Sequence, residues 1–269
     1  MSDSGPVRLR MPAVFLGHGS PMNALEVNRY SEAWRAFGQS VPKPRAILAI
    51  SAHWYVPATA VTAMSQPRTI HDFGGFPDEL FAVQYPAPGD PALAEEVAQL
   101  LAPTPVVQDR DAWGLDHGTW SVLVHAFPHA DVPVVQLAID ARQDFDFHLQ
   151  LGSKLAPLRD QGVLIVGSGN VVHNLRAIDW ELPDTAFAWA ERFDAVVRET
   201  LLKEPSAVAE LREHPDYKLS APTPEHFIPL LYIAGLAAAD GGGDVRTLVH
   251  GYAYGSLSMA SYTVGAGAV

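Results

Sequence analysis

The sequence contains histidines that are placed where a metal centre could form. The four best placed are His18, His53, His173 and His226. The first two follow apolar, strand-like runs, Ala13–Leu16 and Ala46–Ile50. Neutral imidazole is a ligand of both zinc and iron(II), and three protein ligands leave positions open for water, substrate or dioxygen. We therefore predict one metal centre that is assembled from distant parts of the chain.

The glycine-rich turn before His173 has some features of a phosphate-binding loop. Gly167-Ser168-Gly169-Asn170 follows a predicted strand, and we expect it to open a helix with His173 on the first turn. A helix N-terminus there would favour an anionic ligand. The turn lacks the Gly-Lys-Ser/Thr ending of a P-loop and the third glycine of a dinucleotide fingerprint, so nucleotide binding is not favoured.

Composition excludes several other function classes. The absence of cysteine excludes disulfides, thiolate metal sites, iron–sulfur clusters and a cysteine nucleophile. No Gly-x-Ser-x-Gly elbow occurs, which argues against a serine hydrolase. The formal net charge of −12 opposes binding to nucleic acid or to anionic membranes. The N-terminus lacks the apolar core of a secretory signal, and no apolar stretch is long enough to span a bilayer, so we expect a cytoplasmic location.

Strand-like and helix-like segments alternate along the chain, which predicts a three-layer α/β/α fold with a central, mostly parallel (mixed) sheet. The predicted strands are Ala13–Leu16, Ala46–Ser51, Ala60–Met64, Val132–Ile139, Val163–Gly167, Thr247–His250 and Ser256–Tyr262. The predicted helices are Ala24–Gly38, Pro91–Leu101, Thr119–Ala126, Phe145–Leu158, Thr185–Leu202 and Glu225–Ala238. We expect the last two strands to form an antiparallel edge. Without a linker or a repeat, residues 1–269 are predicted to form a single catalytic domain.

In an open α/β sheet, ligands bind in the crevice outside the carboxyl ends of the strands, so His18 and His53 should point into it. The long irregular segment Ser65–Gly89 is predicted to wall a pocket for a flat, aromatic substrate. The aromatic candidates for lining that pocket are Trp54, Phe73, Phe76, Trp113, Trp120 and Tyr252. The histidines expected to be ordinary solvated or packed residues are His125, His129, His148 and His214.

Six segments, in this order, resemble the DOPA 4,5-dioxygenase (LigB-like) type of class III extradiol ring-cleaving dioxygenases. They are Gly17–Asn23, Ser51–Trp54, His71–Pro77, Asp116–Trp120, Gly167–Asn174 and Pro224–Leu230. The resemblance spans nearly the whole chain. Each segment is weakly specific when taken alone, but the ordered set is specific.

The resemblance implies a non-haem enzyme that opens a catechol ring with O₂ to give a muconic semialdehyde. His18 and His53 match the two histidine ligands of the metal. His226 matches the third ligand, which is a glutamate in the protocatechuate-cleaving relatives. His173 matches the general acid/base, near the metal or as a fourth ligand, and His117 matches a second histidine in the pocket. The implied ion is iron(II), with zinc(II) as an alternative bound ion.

The implied partners are a small catechol and O₂, with no nucleic acid and no membrane, and the chain is expected to be a monomer or a small homo-oligomer. Two other functions remain open from the sequence. A zinc-dependent hydrolase would use the same histidines with a bound water as nucleophile, and it would not need oxygen. A non-catalytic binding protein of the same fold would keep the pocket without needing the base.

Overall fold

The computed structural model describes residues 10–266, which form an eight-stranded sheet, a separate two-stranded sheet and helices on both faces of the larger sheet. The strands are β1 Ala13–Gly17, β2 Ala46–Val56, β3 Ala60–Thr62, β4 Val107–Asp109, β5 Val134–Asp140, β6 Val163–Gly169, β7 Val245–Val249, β8 Tyr252–Ala253, β9 Leu257–Ser258 and β10 Ser261–Val264. The α-helices are α1 Arg29–Ser40, α2 Asp78–Phe81, α3 Pro91–Leu101, α4 His117–Ala126, α5 Phe145–Lys154, α6 Pro157–Asp160, α7 Ala188–Lys203, α8 Tyr217–Ser220 and α9 Ile228–Ala239. Short 3-10 helices span Pro21–Ala24, Leu175–Ala177 and Pro205–Glu213.

The strand order of the large sheet explains how distant segments meet. The order is β4-β3-β5-β2-β6-β1-β10-β7, and the central strands β5, β2, β6 and β1 run parallel. β10 and β7 form an antiparallel edge, as expected, and β3 runs antiparallel to β5 at the other side. Because β2, β6 and β1 are neighbours and parallel, their carboxyl ends open at the same edge of the sheet. The predicted mixed, mostly parallel sheet is confirmed.

Apolar side chains cover both faces of the sheet. One core packs α3, α5, α7 and α9 against one face, and the other packs α1 and α4 against the opposite face. Strands β1, β2 and β6 read as nearly continuous apolar runs because both of their faces are buried. Burying one such Val, Leu or Ile side chain contributes about 1.5 to 3 kcal/mol. The sheet is therefore a stable middle layer of the three-layer fold, and it fixes the positions of its strand ends.

Helix α4 begins at a residue that the sequence predicts for the site. The Asp116 carboxylate accepts a hydrogen bond from the backbone N–H of Thr119 (3.1 Å), which is a standard N-cap interaction. The same carboxylate accepts a hydrogen bond from the hydroxyl of Ser51 in β2 (2.7 Å). The cap therefore fixes His117, the first residue of α4, beside the end of β2.

Some predicted boundaries are wrong for local reasons. β2 continues to Val56, so His53 lies within the strand, and the pairing of β2 with β5 shifts register between Ile50 and Tyr55. The predicted strand Ser256–Tyr262 is divided into β9 and β10, which belong to different sheets. The predicted helix Phe145–Leu158 ends at Lys154, and α6 begins after it at Pro157, because proline lacks the N–H that would continue the helix.

The segment after β6 differs most from its prediction. Residues 167–169 complete the strand, and no helix begins at Asn170. The backbone N–H of Asn170 donates to the His226 carbonyl (2.9 Å), and the N–H of His173 donates to the Ser220 carbonyl (2.8 Å). These long-range bonds satisfy the N–H groups that helix formation would otherwise use. The predicted anion site at a helix N-terminus is therefore absent from this described segment.

No helix in the described range combines the length and the apolar content that crossing a bilayer requires. The predicted domain extent of 1–269 includes residues 1–9 and 267–269, which lie outside the described residues.

Candidate metal centre

The structure places His18 and His53 beside each other at the carboxyl edge of the sheet. His18 follows β1, and its backbone N–H donates to the carbonyl of Gly169 at the end of β6 (3.1 Å). His53 lies in the last part of β2. Their Nε2 atoms are 3.3 Å apart, and the two ring centroids are 5.1 Å apart. The two side chains therefore meet at this edge of the sheet, as predicted, although β2 extends three residues beyond His53.

His226 reaches the same place from the turn before α9. Its ring centroid lies 5.3 Å from that of His18 and 5.1 Å from that of His53, so the three rings form a nearly equilateral triangle. The His226 carbonyl packs directly on the end of β6. A Cβ atom at Gly169 would lie only 2.2 Å from that carbonyl oxygen, so this approach requires glycine.

The Nδ1 atoms of the triangle face hydrogen-bond acceptors. His226 Nδ1 lies 3.1 Å from Glu225 Oε1, and His53 Nδ1 lies 3.1 Å from Asp72 Oδ2. His18 Nδ1 lies 3.0 Å from the Ser168 hydroxyl oxygen, which donates its own proton to the Gly118 carbonyl. Ionised carboxylates only accept hydrogen bonds, and a hydroxyl has one proton to donate. Each Nδ1 therefore carries the ring proton, and each Nε2 is left with its lone pair.

The facing Nε2 atoms of His18 and His53 are spaced to share a divalent cation. Two nitrogen ligands at about 2.1 Å from one ion are separated by about 3.0 to 3.4 Å, and the Nε2 atoms of His18 and His53 are 3.3 Å apart. Two lone pairs at that distance repel each other unless a cation lies between them. Burial lowers the pKa of His18 and of His226 well below the usual value, and the neighbouring imidazoles lower both further. Neutral imidazole is the form that binds metal.

Asp72 links His53 to His117. Its Oδ1 lies 2.9 Å from His117 Nδ1 and also accepts the backbone N–H of His117 (2.9 Å). Burial alone would raise the pKa of Asp72, but the contacts with His117 and His53 outweigh it and hold that pKa well below its usual range. Burial also lowers the pKa of His117, although Asp72 partly opposes this. The Asp72 carboxylate thus faces two imidazoles at once and binds the backbone N–H of one of them.

His117 packs close to the predicted ligands. Its ring centroid lies 3.8 Å from that of His53 and 5.9 Å from that of His18. The potential ligand atoms of His18, His53 and His117 lie within 4.8 Å of one another. The close packing depends on Gly118, where a Cβ atom would lie 2.8 Å from His53 Cδ2. The structure therefore presents His117 beside the triangle as a fourth imidazole.

His173 lies on the other side of His226. It does not sit on a helix, and instead its segment pairs with Leu257 of β9. Its ring stacks on His226 at a centroid separation of 3.5 Å and an interplanar angle of 5°. The potential ligand atoms of His173, Glu225 and His226 also lie within 4.8 Å of one another. Burial lowers the pKa of His173 to about 4, with Glu225 partly opposing, so the ring is neutral at pH 7.

The imidazoles line a cavity of about 490 Å³. Its other lining residues are mostly apolar, and they include Phe73 and Phe76 from the Ser65–Gly89 segment. This segment therefore walls a cavity, as predicted, and the flat, aromatic substrate stays a prediction.

Four of the aromatic residues predicted to line the cavity do not line it. Trp54 and Trp113 stack on each other at 5.7 Å outside the cavity. Trp120 is fully buried, with its indole N–H donating to the Ile70 carbonyl (2.7 Å). The Tyr252 hydroxyl donates a hydrogen bond to the Asp194 carboxylate. Each of these rings is committed to packing or to a hydrogen bond elsewhere.

The four histidines expected to be ordinary solvated or packed residues lie away from the cavity. His125 is buried, with Nε2 2.7 Å from the Asn23 carbonyl, and His148 is buried beside the Tyr232 hydroxyl. His129 is exposed, and His214 is half-buried.

Several residues of the site were not predicted from the sequence. Asp72 and Ser168 lie within the family-like segments, but no orienting role was assigned to them. Leu175, Ile178, Trp180 and Tyr254 line the outer part of the cavity. No local pattern marks these last four, because they reach the cavity through loops.

The contacts of Asp72 lead to a testable prediction. Asp72→Asn keeps the shape of the side chain but removes the charge that faces two imidazoles. We expect the affinity for a divalent metal to fall about 10- to 100-fold, as is typical when a carboxylate behind a metal-binding histidine is lost. Calorimetric titration of the metal-free protein would measure this. Asp78→Asn is the matched control, because Asp78 is an exposed residue of the same segment. Equal affinities of the two variants would contradict the orienting role.

Comparison with known proteins identifies relatives of the whole chain. The family model described as "Catalytic LigB subunit of aromatic ring-opening dioxygenase" matches residues 12–265. A protein of Escherichia coli (strain K12) named "4,5-DOPA dioxygenase extradiol" is 49% identical over 260 residues, covering 95% of each chain. A protein of Beta vulgaris with the same name is 39% identical over 259 residues, covering 92% of this chain and 94% of the relative. The crystal structure of an uncharacterized protein from Escherichia coli K12 matches with a TM-score of 0.83 and 45% identity, covering 95% of this chain and 100% of that one.

These matches confirm the resemblance that the six sequence segments carry and the enzyme class that it implies, an extradiol ring-opening dioxygenase. They do not favour the zinc hydrolase or the non-catalytic binding protein. The chain belongs to the LigB family of aromatic ring-opening dioxygenases.

Proposed function

We propose that this dioxygenase uses iron(II) held by His18, His53 and His226 to open a small, DOPA-like catechol next to its paired hydroxyls, giving a muconic semialdehyde. The observation that carries the proposal is the convergence of three imidazoles whose Nδ1 atoms are all engaged by acceptors, at the inner end of an apolar cavity. Nitrogen ligands of this kind accept zinc(II) as well. We favour iron(II) because ring opening consumes dioxygen.

The choice of ligands rests on the geometry of the rings. The ring centroids of His18, His53 and His226 are nearly equidistant, whereas the ring of His117 packs against that of His53. We therefore propose His117 as a substrate contact, although its ligand atoms also lie within 4.8 Å of those of His18 and His53. A bound ion would act as a Lewis acid for the catechol hydroxyls and would connect the catechol electronically to dioxygen.

We assign the proton transfers to His173. A catechol must lose a proton to bind as an anion, and a neutral imidazole lining the cavity can accept it. His173 is neutral because burial lowers its pKa to about 4, and its ring is held flat against His226. Once protonated, the same ring can return the proton as the aromatic ring opens. His117, whose Nδ1 faces Asp72, can orient the second hydroxyl.

The apolar wall of the cavity suits an aromatic ring. Phe73 lies 5.3 Å, centroid to centroid, from His117 and 5.4 Å from Phe76, both in edge-on arrangements. Edge-on aromatic contacts of this kind stabilise a bound ring and exclude water from it. The name of the relatives in Escherichia coli and Beta vulgaris supports a DOPA-like catechol as the substrate.

Oxygen uptake under controlled metal loading tests the proposal. Protein stripped by a chelator would be loaded under argon with iron(II) or with zinc(II), mixed with DOPA, and then exposed to O₂. We expect the iron-loaded protein to consume one O₂ per catechol and to form a yellow product, and the metal-free and zinc-loaded proteins to be inactive. Resorcinol, whose hydroxyls are not adjacent, is the control substrate. Failure of fully iron-loaded protein to consume O₂ with any catechol would contradict the proposal.

The cytoplasmic location and the monomeric or small homo-oligomeric state stay predictions. A small catechol and O₂ are the proposed reaction partners.

A further inference from the structure

The catalytic cavity has two chemically different ends. Its inner end holds buried imidazoles, and its outer end is formed by exposed or partly exposed side chains. The outer residues are Met22, Glu26, Leu175, Ile178, Trp180 and Tyr254. A catechol whose hydroxyls face the imidazoles would direct its ring substituent toward this outer end.

The outer end carries a negative charge that no cation in the lining offsets. Within the described residues, the cavity lining contains no lysine or arginine, and its carboxylates are Asp72 and Glu26. Asp72 is engaged by His53 and His117, as described above. Glu26 is exposed and accepts a hydrogen bond from the Asn28 side chain (3.3 Å), and it forms no ion pair with any residue between 10 and 266. Glu26 is thus the carboxylate available to a substituent.

The arginine that lines a neighbouring cavity together with Glu26 is already engaged. Arg29 lines an adjoining cavity of about 350 Å³, together with Asp184 and Glu26. Its guanidinium donates to the Tyr30 hydroxyl (2.6 Å) and lies 4.8 Å from the centre of the Tyr30 ring. Arg29 does not line the catalytic cavity, so an anionic substituent there would face Glu26 without a compensating positive charge.

Two aromatic rings line the same cavity as this carboxylate. Trp180 is 71% exposed, which is unusual for so large an apolar side chain, and its ring lies 4.7 Å from that of Tyr254. Tyr254 has a φ of 54°, a left-handed conformation that is strained for a residue other than glycine. Its carbonyl accepts the backbone N–H of Asp179 (3.0 Å), which helps to hold the strained segment beside Trp180. Backbone strain of this kind concentrates at functional sites.

We propose that Glu26, Trp180 and Tyr254 recognise a positively charged ammonium group on the side chain of the catechol. Aromatic faces attract ammonium ions, and an adjacent carboxylate adds a direct ionic contact. The negative net charge of the protein also favours a cationic ligand over an anionic one. The substrate class is therefore a catechol whose substituent carries an ammonium group, and catechols whose substituent carries only a carboxylate are disfavoured. This inference rests on the proposed ring-opening function and identifies Glu26 as a residue that determines specificity.

Three catechols with similar substituents and different charges test the inference. They are dopamine (cationic), 4-ethylcatechol (neutral) and dihydrocaffeate (anionic). For the iron-loaded protein at low salt, we expect kcat/KM to fall from dopamine to 4-ethylcatechol to dihydrocaffeate. In Glu26→Gln, the ratio of kcat/KM for dopamine to that for 4-ethylcatechol should fall about three- to tenfold, mainly through KM, as expected for a partly exposed ionic contact supported by aromatic rings. Trp180→Leu should lower the same ratio.

Glu32→Gln is the matched control, because Glu32 is an exposed glutamate of α1 that does not line the cavity. It should leave the ratio unchanged. Binding of dopamine and 4-ethylcatechol to the zinc-loaded protein, measured by calorimetry under argon, gives a readout that needs no turnover and should show the same preference. An unchanged ratio in Glu26→Gln, or an equal preference for dihydrocaffeate in the parent protein, would overturn the inference. Absence of O₂ uptake with all three catechols would instead contradict the proposed function, while the calorimetric preference would still test Glu26.

Discussion

Replacing His18 by alanine is expected to abolish both metal binding and ring opening. The site would lose one of three nitrogen ligands, and the loss would amount to about 2.5 to 4 kcal/mol if the binding free energy of a four-ligand structural zinc site, about 10 to 16 kcal/mol, is shared equally among its ligands. That free energy corresponds to an affinity lower by a factor of about 10² to 10³. Metal content after dialysis against a weak chelator, together with O₂ uptake, would measure the effect.

The same experiment separates the two possible ligand sets. His53→Ala and His226→Ala should lose the metal as His18→Ala does, whereas His117→Ala should retain it. The opposite result for His117 and His226 would show that the ion is held by His18, His53 and His117, which also lie close together. His129→Ala is the control, because His129 is exposed and does not line the catalytic cavity. Circular dichroism would confirm that each variant is folded.

Replacing His173 is expected to separate proton transfer from metal binding. His173→Ala should retain near-normal metal content, while kcat falls about 10²- to 10⁴-fold, the usual contribution of a general acid/base. Steady-state O₂ uptake in air on iron-loaded protein would measure kcat, and elemental analysis of the same sample would measure the metal.

The stacking of His173 on His226 calls for a second variant. His173→Phe keeps an aromatic face against His226 and removes both ring nitrogens, so it separates the loss of packing from the loss of the base. We expect His173→Phe to bind metal like the parent protein and to be as slow as His173→Ala. Full ring-cleaving activity of His173→Phe would rule out the acid/base role. Loss of metal from both variants would instead identify His173 as a ligand.

The sequence predicted the strands whose apolar residues form continuous runs. β1, β2 and β6 are buried on both faces and read as apolar runs, so their ends, and the histidines near them, were visible locally. β4 was missed because it has only three residues and is partly exposed. The helix expected after Gly169 was wrong because the backbone N–H groups there bond to Ser220 and His226, which lie far along the chain.

The aromatic residues also include some whose position the sequence predicted and some whose position it did not. Phe73 and Phe76 lie in a long irregular segment that family-like motifs mark as functional, and they line the cavity. Trp54, Trp113 and Trp120 were equally plausible by residue type, but they pack elsewhere. Residue type predicts that an aromatic ring is buried, whereas the direction in which it is buried depends on neighbours that are distant in sequence.

The sequence by itself determined the class of fold, the family and the histidines that we propose as the chemical groups of the site, because these depend on local runs and short motifs. Only the tertiary structure decided which groups orient those histidines: Asp72 faces two imidazoles, Ser168 faces His18, and Glu225 faces His226. It alone also brought Glu26 and Trp180 to the outer end of the cavity. The physical reason is that ring protons and charges are set by contacts of about 3 Å between residues up to 150 positions apart. No pattern along the chain encodes such contacts.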